Sequence, residues 1–393
     1  MTVNTEGAVT VLGRTTYRGT RRTFGIRNTD RRAHILIVGK TGTGKSTLLE
    51  TMLVQDLAAG EGFAVLDPHG DLVERVVRRV PAGRRADLIY FDAPDAAQPW
   101  GFNPLSGVLP EKRPLTASAL LEVFKKLWID SWGPRVEHLL RNTVLALLDQ
   151  PHATFADVPP LLSDRDFRRE AMRHVHSRQV RAFWLREYED YPARFRAEVI
   201  APLQNKVGAF LTNPLLHRIL TTPPQSLDLR GLIDQGKVLI VNLAKGKIGE
   251  DTAALLGALL VASLGAAAFT RADRPPEKRP DFWVYLDEFH TFTTLSLATM
   301  LSELRKYHVG FVLAHQYAAQ LSEPLHAAVF GNVGTILSFR VGGPEAEVLA
   351  REFHPTLREA DLLSLPNYHM YVKLLVNGMP TEPFSAETLP PNG

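Results

Sequence analysis

No cysteine occurs among the 393 residues. Its absence excludes disulfide stapling, thiolate-bound zinc and a cysteine nucleophile. Net charge is scarce as well: 45 Lys+Arg against 42 Asp+Glu leave +3, too even a balance to imply nucleic acid by itself, so any basic surface has to be local. The opening MTVNTEGAVTVLGRTTYRGTRR lacks the apolar core of a secretory signal. There is no internal repeat and no low-complexity run, and only Pro390–Gly393 reads as frayed. Apolar residues, at 45%, are enough for a sizeable core and exclude a disordered or fibrous chain. A chain this long is expected to hold one large domain with an insertion, or two domains.

One long uncharged stretch is present, residues 252–269, TAALLGALLVASLGAAAF, just long enough to suggest a membrane span. Its seven Ala, two Gly and one Ser, and the strand-like segments on either side, make a buried helix the better reading. The expectation is therefore a chain without a transmembrane segment, cytoplasmic and not inserted directly into a membrane.

Short apolar runs alternate with helical patterns, the signature of β-α-β units and a parallel sheet. Strands are expected at His34–Val38, Phe63–Leu66, Ala86–Phe91, Lys237–Val241, Phe282–Leu286, Gly310–Ala314, Thr335–Phe339 and His369–Leu375. From about Leu115 to Leu220 the pattern is helical, with no good strand, and Asn103-Pro104-Leu105-Ser106-Gly107 and Thr222-Pro223-Pro224 bracket it. This divides the chain into a short basic segment (1–33), a first part of an α/β core (34–108), an all-helical insertion (109–230) and the rest of the core (231–393).

Residues 39–46, GKTGTGKS, match G-x-x-x-x-G-K-[ST] between an apolar strand and a helical pattern. Backbone N–H groups of Gly39, Lys40, Thr41, Gly42, Thr43 and Gly44, with the positive end of the helix, suit phosphate oxygens, and Thr47 closes the binding segment. In that arrangement Lys45 neutralises β- and γ-phosphates and the Ser46 hydroxyl ligates Mg²⁺. A second acidic site is needed, and the run FWVYL ends in Asp287-Glu288. Asp287 is the candidate to hold Mg²⁺ through water, and Glu288 to polarise the attacking water. Asp67 and its neighbours in DPHGD end another strand; alone they read as a polar turn, and beside a nucleotide Asp67 becomes a candidate to orient metal or water. Asp67, His69 and Asp71 superficially resemble a metal cluster, without further His-rich spacing to support one. Gln316, after the strand Gly310–Ala314, can sense a γ-phosphate. Arg305, taken alone, is a helix-end charge.

Taken in order, GKTGTGKSTLL, DPHGDL, FNPL, WGPRVEHLLRNT, NKVGAFLTNPLLHRIL, VNLAKGKIGEDTAALLGALL, YLDEFHTF, LRKYHVGFVLAHQ and GNVGTILSFRVG resemble the HerA/FtsK superfamily of P-loop motor ATPases. Within it the resemblance is to the branch of TraG/TraD-type conjugative coupling proteins of type IV secretion, and it runs from about Gly13 to Leu375. It implies a RecA-like ATPase core with an inserted all-helical domain, assembled as a homo-hexamer with ATP and Mg²⁺ between subunits and DNA in a central channel. It also implies that Arg305 is an arginine finger for the neighbouring subunit, with Arg340 a second candidate, and that Gln316 is the sensor. The function so implied is ATP-driven DNA translocation, with a secretion-system, relaxase or nuclease partner. Two other readings remain open: a secretion or pilus-assembly ATPase acting on protein, and a nucleotide-gated scaffold that recruits a nuclease. DNA contacts are suggested by seven arginines (14, 18, 21, 22, 27, 31, 32) in residues 1–33, against Glu6 and Asp30. The insertion's aromatics, Phe183, Trp184, Tyr188, Tyr191 and Phe195, read as helical core before they read as base-stacking platforms.

Overall fold

The computed structural model describes residues 7–391 except 17, 18, 20, 222 and 318–320. Glu6 and Arg18 of the basic segment, Thr222 of the bracketing turn and the last two residues lie outside this description. The chain divides into two units, one comprising 1–94, 229–247 and 267–393, the other 95–228 and 248–266. The second begins earlier than residue 109 and takes in most of the apolar helix Glu250–Phe269.

The first unit carries an eleven-stranded sheet. Its strands are β1 (Val9–Thr15), β2 (Thr23–Arg27), β3 (Ile35–Val38), β4 (Gly62–Asp67), β5 (Leu88–Asp92), β6 (Val238–Asn242), β7 (Phe282–Leu286), β8 (Val309–His315), β9 (Thr335–Ser338), β10 (His369–Lys373) and β11 (Phe384–Glu387). In space they run β2-β1-β11-β10-β9-β3-β8-β7-β4-β6-β5. The seven strands from β9 to β5 are parallel, and β10, β11, β1 and β2 extend them antiparallel. Runs such as Ile35–Val38 and Phe282–Leu286 are buried at every position, as strands covered on both faces must be.

All eight expected strands form, with shifted ends that have local causes. β3 starts at Ile35 because His34 takes a left-handed backbone (φ +65°). A 3₁₀ turn over Ala82–Asp87 delays β5 to Leu88, and a second, Leu304–Tyr307, follows the helix Ser296–Glu303. β1, β2 and β11 are additions that the alternation of Val9 and Val11 with polar residues did not reveal.

In the second unit, helices Arg113–Leu127, Pro134–Leu148, Arg165–His174, Ala193–Leu211 and Pro214–Thr221 pack around Phe124, Phe155, Trp184 and Tyr188, all buried. Trp184 Nε1 donates to the Asn142 carbonyl and the Tyr188 hydroxyl to the Leu162 carbonyl, so these aromatics are core. Phe183–Glu187 is a π-turn that follows the short helix Arg178–Ala182. Gly101 is required: a Cβ there would lie 2.3 Å from the Ile219 carbonyl oxygen. Among the described residues, one helical segment, Glu250–Asp273, is long and apolar enough to cross a membrane, and 72% of its apolar window is buried inside the protein.

The N-terminal arginines are mostly consumed by structure. Arg31, fully buried, donates two hydrogen bonds of 2.7 Å to Asp56, bonds Thr10 and the Tyr285 hydroxyl, and lies 4.1 Å from the centre of the Trp283 ring. Arg32 forks onto Asp281 and Arg14 onto Glu387. The Arg31–Asp56 pair ties β1, β7 and the helix Lys45–Ala59 together. Removing one partner of a buried pair strands a charge, at a cost of about 3–5 kcal/mol, whereas replacing both by apolar groups is far milder. Asp56→Ala is therefore expected to lower the denaturant midpoint sharply, and Arg31→Met with Asp56→Leu to recover most of it.

Candidate nucleotide site

Strand register alone assembles the site. Val38 pairs with His315 of β8 on one side and Ser338 of β9 on the other, so Gly39 emerges between Gln316 and Phe339. Leu286 pairs with both Leu313 of β8 and Leu66 of β4, which brings Asp287 and Asp67 to the same edge. These are the C-terminal ends of the parallel strands, where open α/β sheets bind ligands.

The loop is shaped by its glycines and by two neighbouring rings. Gly42 (φ +75°) and Gly44 (φ +125°) adopt conformations that side chains disfavour. A Cβ on Gly44 would also lie 2.9 Å from the Phe339 ring. Backbone bonds fasten the loop on both sides: Gly39 N–H to the His315 carbonyl at 3.2 Å, and Lys40 N–H to the Arg340 carbonyl at 2.9 Å. Lys45 opens the helix Lys45–Ala59, is buried, and donates to the Gly39 and Lys40 carbonyls. A cavity of about 380 Å³ is lined by the loop together with Asp67, Asp287, Glu288, Gln316 and Tyr368.

A chain of contacts crosses this cavity. The Thr41 hydroxyl donates to Gln316 Oε1 at 3.0 Å, and Gln316 Nε2 donates to Glu288 Oε1 at 2.7 Å. Glu288 itself sits in the left-handed region (φ +46°), a strained backbone placement at the end of β7. Burial, and then the charges of Asp67 and Glu288, push the Asp287 carboxyl up to about 7, with Lys45 opposing. Burial likewise lowers Lys45, with Glu288 and Asp287 drawing it back up. Carboxylates this short of compensating charge suit a divalent cation: Asp287 with the Ser46 hydroxyl, which lines the same cavity, makes the oxygen donor set that Mg²⁺ prefers.

The other expected residues fall in distinct places. Asp67 is fully buried, and its oxygens accept N–H groups of His69, Leu72 and Val73, so it caps the helix Asp71–Arg78 and reaches the site by its charge. Among the described residues no group of His, Asp and Glu is arranged to hold a metal by itself, and Asp67, His69 and Asp71 form none. His315 is structural: its ring accepts the Tyr317 N–H, and burial, then the charge of His290, lowers it to about 3. Arg340 donates to the Leu365 carbonyl and to Asn367 Oδ1, within the loop that leads to Tyr368.

Arg305 does not join this cavity. It lies exposed in the 3₁₀ turn before β8, at the opposite edge of the sheet. β8 spans seven residues, so about 20 Å separates Arg305 from its own loop. His34, just before β3, lies at the same edge as Arg305 and fastens it to the sheet: its Nε2 contacts the Leu301 carbonyl at 2.9 Å and its Nδ1 accepts the Phe311 N–H at 3.0 Å. Burial, and then Arg305, hold His34 down at about 4, so it stays neutral. Sequence reasoning missed His34 and Tyr368 because no local motif marks them.

The raised Asp287 carboxyl has a consequence for stability. Its folded value of about 7 exceeds the unfolded value of 3.8, so the protonated acid favours the fold and that contribution fades as pH rises from about 4 to 7. The difference is worth at most about 4 kcal/mol. Asp287→Asn is expected to raise the thermal midpoint of the nucleotide-free protein at pH 8 and to change it little at pH 4, as calorimetry would measure.

The family model described as the central domain of the helicase HerA matches residues 12–260. The one described as the DNA-binding domain of a type IV secretion-system coupling protein matches residues 234–353. Among solved structures, the bacterial conjugative coupling protein TrwBdeltaN70 shares the fold with a TM-score of 0.66 at 16% identity, over 96% of this chain and 88% of that one. The plasmid coupling protein TrwB in complex with ADP and Mg²⁺ gives 0.63 at 16% identity, over 96% and 89%. VirB4 of Thermoanaerobacter pseudethanolicus gives 0.64 at 13% identity, over 99% and 98%. No curated protein matches the chain. With the P-loop fastened between β8 and β9 and the acidic pair delivered by β7, the chain belongs to the P-loop ATPase family of the HerA helicase central domain.

Proposed function

We propose that the chain is an ATP-hydrolysing motor that assembles as a homo-hexameric ring and drives DNA through its centre. The observation that carries this reading is the placement of Arg305, exposed about 20 Å from its own P-loop, across the length of β8. A guanidinium there is useless to its own site and well placed for a neighbour's in a head-to-tail ring. The match of residues 234–353 to a coupling-protein DNA-binding domain supports DNA as the cargo.

In this reading Gly39–Thr47 hold the triphosphate of ATP, with Lys45 on its β- and γ-oxygens. Ser46 and Asp287 would hold Mg²⁺, which supplies charge neutralisation at the phosphates. Glu288 takes the proton of the attacking water, and Gln316 fixes that carboxylate while remaining tied to Thr41 of the loop. Arg305 of the adjacent subunit completes the charge at the γ-phosphate. Arg340, bonded to Leu365 and Asn367, positions the loop beside the site. The match of residues 234–353 to a type IV secretion-system family supports a second reading, a secretion-system ATPase acting on protein; ATP hydrolysis indifferent to DNA and raised by secretion components would favour it.

Arg305→Ala is expected to retain ATP binding and to lose hydrolysis by roughly 10³- to 10⁵-fold. Glu288→Gln is expected to bind ATP and stall. Mixing the two inactive variants should restore part of the activity, because an intact Glu288 site then meets an intact Arg305. Full turnover by Arg305→Ala alone, or no recovery on mixing, would refute the finger in trans. DNA added to the wild-type protein should raise its ATPase rate, and a rate unmoved by DNA would remove the translocase reading.

A further inference from the structure

We infer that Tyr368 is the stacking platform for the nucleotide's base, an inference that rests on the nucleotide reading above. The order of strands fixes which end of a bound triphosphate faces which way. Counting from β3, the groups that act on the γ-phosphate come from one side: Gln316 after β8, and Asp287 and Glu288 after β7. On the other side of β3 stand β9 and then β10, and Tyr368 immediately precedes β10. A nucleotide with its γ-end at the carboxylates therefore extends its ribose and base toward Tyr368, about 10 Å from β3 across two strand spacings.

Tyr368 is built as a fixed surface. Its backbone is left-handed (φ +66°), a placement a tyrosine holds only when its surroundings impose it. Those surroundings are visible: its N–H donates to the Thr43 carbonyl at 2.7 Å, and its own carbonyl accepts the Thr388 N–H at 2.8 Å. Two residues of the segment leading to it are held by Arg340. The ring lies beside the P-loop, where a Cβ on Gly44 would come within 3.2 Å of Tyr368 Cδ1. It lines the same cavity as Lys45 and Ser46, yet 51% of the residue is exposed. A rigid, half-open aromatic face at the mouth of a phosphate site is suited to stacking a planar base. Stacking reads the face of a base and not its edge, so both purines are accepted.

The test compares Mg-ATP, Mg-GTP and inorganic tripolyphosphate binding to the full chain by calorimetry. Tyr368→Ala should weaken ATP and GTP by roughly tenfold while tripolyphosphate stays within about twofold, and Tyr368→Phe should keep all three affinities. The inference is overturned if Tyr368→Ala binds ATP as tightly as wild type, or if Phe fails to preserve binding. It is overturned equally if tripolyphosphate is lost in proportion, because Tyr368 then acts only by bracing Thr43. A wild-type protein that binds none of the three would instead bring down the nucleotide reading itself, and this inference with it.

Discussion

The register of the parallel strands is the constraint on which the site depends. β3 is held by β8 and β9 so that Val38 stands opposite His315 and Ser338, and β7 is held by β8 and β4 so that Leu286 stands opposite Leu313 and Leu66. A slip by one residue would turn every buried side chain of a strand to the wrong face, which an all-apolar run between two helix layers tolerates poorly only where packing differs between faces. Here backbone bonds beyond the strands add to that packing. Gly39 N–H on the His315 carbonyl and Lys40 N–H on the Arg340 carbonyl pin the loop at both flanks.

Gathering Asp67, Asp287 and Glu288 at one edge has an electrostatic cost, offset within the chain mainly by Lys45. The cost is legible in Asp287, whose proton is held to about pH 7. The same shortage of positive charge suits the site to a divalent cation. Asp67 shows how the fold contains the problem: one of its oxygens accepts the His69 N–H of the turn and the other the Leu72 and Val73 N–H groups of the helix, so it remains buried without needing a cation of its own. Gln316 joins the acid to the loop by one hydrogen bond at each end of its amide, so a change at Thr41 is felt at Glu288.

The two edges of the sheet are rigidly linked. Arg305 and His34 lie at the strand beginnings, and the P-loop at the strand ends. β3 and β8, buried throughout, join them. His34 contacts the Leu301 carbonyl and accepts from Phe311, so the segment carrying Arg305 is fastened to the strand that carries the P-loop. In the proposed ring, the P-loop and Arg305 of each subunit would therefore move as one body.

The α/β class, the eight strands of the expected set, GKTGTGKS and the pair Asp287-Glu288 were determined by the sequence by itself, because each is a local pattern: a buried run, a glycine spacing, a charged pair closing an apolar strand. The roles that depend on distant partners were decided only by the tertiary structure. Arg14, Arg31 and Arg32 count as basic residues in a composition, yet they are consumed by Glu387, Asp56 and Asp281. Arg340 braces the loop before Tyr368, and β1 joins β11 through a pairing that spans the chain, with β2 added as the hairpin partner of β1. Hydrogen bonds and ion pairs between residues tens to hundreds of positions apart leave no periodicity in the sequence, so folding alone reveals them.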